Sequence, residues 1–309
     1  MKVRMLVIIS IITLMFVSAC ENPFFPEKKG SDVVVINYSV ANVDQWNDAR
    51  NAINNGGNNK NYSITVINNF DMPGSTANTF GMITGVTVSI SGNNTLSLTG
   101  DGYLLCINTG QIVILNNLKL CGHASNSNSL VFVNGGSFIM QGSSTVYNNT
   151  TGGHGGGVRV DDGGSFIMQN NSSVYGNTAY RGGGVGIDDG IFTMQGNSSL
   201  YGNTAGEAGG VYVYGGFFTM QNNSSIFGNT GITGGGVGVE YGTFRLAGGT
   251  VVGSSDYGDK AKNTDTQNAA ALAVFFGTAT YGGANGSAYN IPLVDSRQNN
   301  TITQAGVIE

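Results

Sequence analysis

Phe138-Ile-Met-Gln141, Phe166-Ile-Met-Gln169, Phe192-Thr-Met-Gln195, Phe218-Thr-Met-Gln221 and Phe244-Arg-Leu-Ala247 decide the fold of this chain. Successive copies begin 28, 26, 26 and 26 residues apart. A fixed period of this length marks a repeat architecture, in which each unit buries its apolar face only against its neighbours. Around each copy lie two further apolar runs. One is Val158/Val160, Val185/Ile187, Val211/Val213 and Val237/Val239; the other is Val146, Val174, Leu200, Ile226 and Val252. Apolar residues at i and i+2 make a strand with one buried face, and no helical period is present. Gly, Asn and Ser between the runs supply positive φ and local side-chain hydrogen bonds at corners. Three short strands per coil of about 26 residues, with corners between them, predict an all-β chain folded as a single right-handed parallel β-helix.

In such a stack each residue sits about 4.8 Å above its equivalent one period earlier. Phe138, Phe166, Phe192, Phe218 and Phe244 should form an internal aromatic stack, and Met140, Met168, Met194, Met220 and Leu246 a second. Asn149, Asn177, Asn203 and Asn229 should form an amide ladder that satisfies corner backbone groups. Upstream, Ile64-Thr-Val66, Val86-Thr-Val-Ser-Ile90, Leu96-Ser-Leu98, Ile112-Val-Ile-Leu115 and Leu118-Lys-Leu120 read as further strands; downstream, Leu272-Ala-Val274 and Thr278-Ala-Thr280 read as another coil. Residues 254–268 read as a loop insertion. The regular repeats span 135–253 within a β-helix of 60–300. Before it, residues 32–59 form an N-terminal cap of a strand and a short amphipathic helix. Asn42-Val-Asp-Gln45 starts that helix with a capping-box pattern, Val43, Trp46, Ala49 and Ile53 share one face, and Gly56 stops it. The single Trp belongs to this cap, which covers the open end of the stack.

Gly is 50 of 309 residues and charged residues are 10%. Such a composition can mean disorder, but the strict apolar register argues for a packed repeat. Removing Lys2 and Arg4 leaves 13 − 2 = 11 basic against 18 acidic residues, a net −7. There is no basic patch, which argues against nucleic acid and against electrostatic attachment to anionic surfaces. Lys2 and Arg4 precede an apolar stretch, residues 5–16, that is short for a membrane span. It ends in Val17-Ser18-Ala19-Cys20. This tail resembles the lipobox of bacterial lipoprotein precursors. The resemblance implies a signal peptide over 1–19, cleavage before Cys20 and acylation of Cys20, whose several acyl chains hold a membrane stably. Residues 20–31, with two prolines, then read as an acylated cysteine and tether. The implied place is the bacterial cell envelope, at the outer membrane or cell surface.

Cys106 and Cys121 remain, in an oxidising compartment that allows a disulfide. They lie 15 residues apart, less than one coil, so both a disulfide and two free thiols stay open. Two Cys with His123 and His154 lack metal-type spacing, and neither a metal nor a cofactor is expected. The period, the three runs and the corners Gly-Gly-Gly-Val158, Gly-Gly-Gly-Val185 and Gly-Gly-Gly-Val237 resemble bacterial right-handed parallel β-helix repeat proteins of the pectin-lyase-like superfamily. With Val174-Tyr-Gly-Asn177, Leu200-Tyr-Gly-Asn203 and Ile226-Phe-Gly-Asn229 they are also similar to the repeats of chlamydial polymorphic outer-membrane proteins, with an aliphatic where those carry Phe. The whole looks like a spirochaete-type surface lipoprotein. The resemblance implies the fold firmly and the function weakly, because the same coil carries lyases, hydrolases, adhesins and structural passengers.

Polygalacturonase-like relatives would need Asn-Thr-Asp, Asp-Asp, Gly-His-Gly and Arg-x-Lys in order along one face. Here Gly153-His154-Gly155, Asp161-Asp162 and Asn263-Thr264-Asp265 occur in another order, without Arg-x-Lys. Glycoside chemistry requires paired carboxylates. Asp161 and Asp188 are stacked equivalents, followed by Tyr214 and Glu240, at a corner that reads equally as a solvated edge or a calcium contact. Arg159 and Arg181 are available as lone bases, but no motif places them. His154, Arg181, Glu207 and Thr233 form another corner row, in which Arg181 and Glu207 should pair. Tyr147, Tyr175, Tyr201 and Phe227 each follow an inward aliphatic and point outward. They are a candidate platform for sugar rings or a protein, or a row that simply stacks on itself.

These observations lead to a non-enzymatic, lipid-anchored surface protein, expected as a monomer, with a role in adhesion or surface interaction and with a glycan or protein ligand. The alternatives are a polysaccharide-active enzyme, pectate-lyase-like or a glycosidase, using the corner carboxylates, and a passive structural envelope lipoprotein. If Phe192 points inward, Phe192→Ala lowers stability by about 3–5 kcal/mol in denaturant unfolding, and an unchanged midpoint refutes the assignment.

Overall fold

The structure, a computed structural model, describes residues 34–252, Asn263 to Asp265, and six short strand segments from Leu272 to Ile308. The expected signal peptide, Cys20 and the expected tether lie outside the described residues, as do residues 253–262. Among the described residues, the strands from Val35–Val40 to Thr278–Gly282 form a right-handed parallel β-helix with about 26 residues per turn, and Ala288–Asn290, Arg297–Gln298, Thr301–Thr303 and Gly306–Ile308 pair antiparallel. In one repeat the strands are Val185–Asp188, Ile191–Met194, Ser199–Tyr201 and Thr204–Glu207. Each pairs in parallel with its equivalent in the next coil, so four sheets run along the axis among the described residues. They are named here by their recurrent residues: the valine, phenylalanine, tyrosine and threonine sheets.

The register places like on like. Phe138, Phe166, Phe192 and Phe218 each pair with the next Phe of the series, and Met140, Met168 and Met194 with the next Met. The five Phe rings are buried, with centroids 4.8–5.3 Å apart and neighbouring planes within 19°. Upstream the same sheet continues through Asn61–Val66, Val86–Ser91 and Gln111–Asn116. There Thr87 pairs with Ile112 and Ile112 with Ser137, coils of 25 residues, which is why the period blurs in the sequence.

One expected equivalence is corrected. Ile226 pairs with Val251, and not with Val252. The turn after Leu246 has one residue fewer than the turn after Met220, which moves the register by one; both Val251 and Val252 are nevertheless buried. The loop insertion is also shorter than expected, because Asn263 rejoins the core and Thr264–Asp265 pairs beside Thr230 and Gly231. The threonine sheet is an element the apolar pattern did not reveal. Its inward positions are Ala179, Ala205 and Gly231, too small to stand out as a hydrophobic run.

Two features close the corners. One is a left-handed residue at each bend: Asp162 (φ 53°), Asp189 (60°), Gly215 (74°) and Tyr241 (57°) occupy the bend between the valine and phenylalanine sheets. The other is the asparagine ladder. Asn149, Asn177, Asn203 and Asn229 are fully buried, and each backbone N–H donates to the next side-chain oxygen, at 3.0 Å from Asn149 through to Asn263. Asn203 Nδ2 also donates to Val174 O, Tyr201 O and Asn229 Oδ1. Asn263 is a rung the sequence hid, because the insertion displaces it from the period.

The cap forms as its sequence dictates. Helix α1, Val43–Asn55, is capped by Asn42, whose side chain accepts from Gln45 N at 3.0 Å; Gln45 Oε1 accepts from Ala41 N at 2.8 Å. Trp46, Ala49 and Ile53 are buried, Val43 is half-buried, and Trp46 packs against Phe80 at 6.5 Å between centroids. Arg50 Nη1 donates to Ala77 O and Asn78 Oδ1, tying the helix to the coil beneath. Cys106 is buried and Cys121 half-buried, both as free thiols, which decides the open disulfide question.

Removing a ladder amide leaves buried backbone groups unpaired, at about 1–3 kcal/mol each. Asn203→Ala is therefore expected to cost about 3 kcal/mol or more. Asn197→Ala, in the solvent-exposed amide row Asn171–Asn197–Asn223, should cost well under about 1 kcal/mol. Equal losses in chemical unfolding would contradict the load assigned to the buried ladder.

Candidate functional site

Two outward features carry chemistry. The first is the row on the tyrosine sheet. Tyr147, Tyr175, Tyr201 and Phe227 are in register and half-buried, with centroids 5.0–5.1 Å apart and planes within 14°. Stacking of this kind turns each ring face toward its neighbour, so the row presents ring edges and phenol hydroxyls. Cys121 occupies the equivalent position below Tyr147. Burial, with a hydrogen bond to the Cys121 thiol, pushes the Tyr147 phenol up to about 12.

The second feature lies on the outer side of the valine sheet. Outward positions there run Cys106, Phe132, Arg159, Gly186, Tyr212 and Gly238 through successive coils. The strand ends run Asn134, Asp161, Asp188 and Tyr214. Gly186 decides what gathers there. A Cβ at Gly186 would come within 2.6 Å of Gly155 N and 3.1 Å of His154 Cβ. The missing side chain therefore lets residues 154–155 fold onto the sheet, and it brings His154 to Asp188, 34 residues away, with Nδ1 at 3.1 Å from both carboxylate oxygens.

Arg159 joins the two carboxyls. Its Nη2 lies 2.7 Å from Asp161 Oδ2 and 3.2 Å from Asp188 Oδ2, and its Nε donates to Asp161 Oδ1 at 3.2 Å. Its guanidinium lies over Phe132, 5.5 Å from the centroid, and Phe132 stacks on Tyr103 at 5.1 Å. On the other side, the His154 ring meets the buried Tyr212 edge-on at 5.8 Å. The Tyr212 hydroxyl donates to Glu240, and burial with this bond raises its pKa. Arg181 pairs with Glu207 at 2.8 Å, as expected, and covers Tyr212 at 5.1 Å.

The two aspartates are shifted in opposite directions. Burial, opposed by Arg159 and reinforced by Asp188, pushes the Asp161 carboxyl up to about 6. Burial also raises Asp188, but the His154 hydrogen bond and the charges of His154 and Arg159 outweigh it and hold that carboxyl low. The corner thus sets a carboxyl that titrates above its ordinary value beside one that titrates below it, with an imidazole and a guanidinium on either side. Two neighbouring carboxyls of unlike pKa are the kind of groups that acid–base chemistry uses.

The period predicts Asp161 stacked on Asp188, and His154, Arg181, Glu207 and Thr233 in one row. Both registers hold, but the His154 side chain leaves its row for Asp188, and Arg159 finds its place between the carboxyls. Asn263 belongs to the buried ladder and so to the scaffold. The recognisable signal for the corner was the alternation Arg159, Gly186, Tyr212, Gly238 at one outward position. Among the described residues no group of three or more His, Cys, Asp or Glu is placed to hold a metal ion. No family model, curated protein or solved structure matches this chain.

The aspartates give the stability a defined pH dependence. The folded pKa of Asp161 lies above its ordinary 3.8, so the folded state holds the proton longer and loses stability as pH rises from about 4 to about 6. Asp188 is lowered, so its contribution is present above the ordinary value and is lost as the solution is acidified below it. Melting curves of wild type and Asp161→Asn across this range are expected to converge toward pH 4 and separate above pH 6, the variant being relatively more stable at the higher pH. Parallel curves would remove the perturbed carboxyl.

Proposed function

We propose that this protein is a lipid-anchored component of the bacterial cell envelope, at the outer membrane or cell surface, whose β-helix serves adhesion or surface interaction without catalysis. What supports the anchor is the resemblance of Val17-Ser18-Ala19-Cys20 to a lipobox after a charged and then apolar leader. What supports the kinship is the likeness of the Gly-Gly-Gly-Val corners to pectin-lyase-like repeat lipoproteins and chlamydial outer-membrane repeats. The observation that carries the binding role is the outward row Tyr147, Tyr175, Tyr201 and Phe227, spaced at 5.0–5.1 Å by the ladder beneath it. A preorganised aromatic edge gives up little conformational freedom on contact, which suits a broad partner surface.

A second reading is a polysaccharide-active enzyme at Asp161 and Asp188. The observation in its favour is the company those carboxyls keep, since Asp188 holds His154 and Arg159 bridges the pair. Release of reducing ends or unsaturated products from polygalacturonate or a related polymer, abolished by Asp161→Asn, would make it the working reading. Envelope fragility on deletion, without any change in adhesion, would favour the passive structural role.

The soluble form, residues 31–309, is expected to bind a matrix-protein or glycan surface, and Tyr175→Ser/Tyr201→Ser to lose that binding by about tenfold or more on the same array. Binding that survives the double change refutes the row. Cys20→Ala is expected to abolish incorporation of labelled palmitate and to release the protein from membrane fractions; labelling that persists refutes the anchor.

A further inference from the structure

The methionines of the described residues divide sharply by exposure. Met72 is 2% exposed, and Met140, Met168, Met194 and Met220 are fully buried, whereas Met82 is 83% exposed. Met82 stands in the turn after Phe80, which is buried and packs against Trp46 of the cap. Other groups hold that turn. Gln111 Nε2 donates to Gly81 O at 2.9 Å and to Ile83 O at 3.2 Å. Asn108 Nδ2 donates to Gly81 O and to Thr79 Oγ1, each at 2.9 Å, and Gly81 N donates to Thr79 Oγ1 at 2.9 Å. The Met82 sulfur accepts from the same Asn108 amide at 3.7 Å, a weak contact, as thioether acceptors are. The side chain buries little and adds little to these ties, so what it offers is the chemistry of a thioether in water.

We propose that Met82 is a reversible oxidation site, at which the folded protein takes one oxygen atom from a hydroperoxide and gives it up to a dithiol-dependent reductase. In the forward step an O–O bond breaks and an S–O bond forms; the sulfur loses two electrons, and hydrogen peroxide leaves as water. In the return step the S–O bond breaks, two thiols become a disulfide, and the oxygen leaves as water. Both steps need a sulfur that a reagent or an enzyme can reach, and the exposed turn supplies it. The buried methionines are closed to both. An oxygen on Met168 or Met194 would force a polar atom into a close-packed column of like side chains, so packing opposes reagent and product alike. At Met82 the product is a polar group already in water, and the amides of Asn108 and Gln111 keep the turn in place in either state of the sulfur. This chemistry does not depend on what the tyrosine row binds.

The test exposes the full chain in detergent to hydrogen peroxide at pH 7 and follows each methionine by peptide mass spectrometry, which separates it from oxidation of the cysteines. Met82 is expected to gain oxygen at least about tenfold faster than Met72, Met140, Met168, Met194 or Met220. Protein oxidised at Met82 alone is expected to melt with the unmodified protein. Met82→Leu should melt there too, while its buried methionines stay unoxidised over the same exposure. Methionine sulfoxide reductases with dithiothreitol should restore the Met82 mass in the folded protein, whose fold circular dichroism checks. A buried methionine oxidised as fast as Met82 overturns the selectivity. A sulfoxide that the reductases reach only in denaturant overturns the reversibility. A melting point lowered by oxidation of Met82 alone gives the side chain a structural load and overturns the site.

Discussion

Parallel pairing of each coil with a near copy of itself is the constraint on which everything else depends. A ladder with the same residue on both sides makes every inward position a column of like side chains. A column tolerates only residues that pack on themselves at the strand spacing. Flat Phe rings do, unbranched Met does, and the planar amide of Asn does so while completing hydrogen bonds on both sides. The bends obey a related rule, since a left-handed residue in one coil needs a residue that accepts that conformation in the next. Asp, Gly and Tyr alternate at one such bend, so the backbone angle is kept while the side chain is free to vary. Outward positions are released in this way for other uses.

That division explains which parts were legible in the sequence. The Phe, Met and Val columns and the ladder from Asn149 to Asn229 were readable because large or amide side chains recur at a countable interval. The threonine sheet was not, since Ala179, Ala205 and Gly231 bury almost nothing that a hydropathy pattern registers. Asn263 was hidden by the intervening insertion, and the pairing of Val251 by a turn one residue short. The corner cluster was legible only in part. Stacking of Asp161 on Asp188 follows from the period, whereas the approach of His154 depends on a glycine whose effect is to leave space. Absence of a side chain is a weak signal in a chain with 50 glycines.

The two outward features differ in a way that bears on recognition. On the tyrosine sheet, identical neighbours have satisfied one another, and the result is a smooth repetitive edge. On the valine sheet, the outward column breaks from Arg159 to Gly186 to Tyr212, and the break gathers groups of different kind: two carboxyls whose pKa values are shifted in opposite directions, an imidazole and a guanidinium. Repetition builds the scaffold, and departure from repetition builds local chemistry. In a stack of near-identical coils, the rungs that fail to match their neighbours are the natural places to look for function.

The asparagine ladder has a consequence for length. Each rung donates toward the following coil and accepts from the preceding one, so the upper face of a coil is the complement of any coil's lower face. Duplicating 26 residues of genetic material inserts a finished storey that needs no new interface, between a cap and a top that stay as they were. The height of the column is therefore a variable that evolution can set in increments of about 4.8 Å. A lineage can lengthen or shorten the reach of such a mast without redesigning the joint at which its storeys meet.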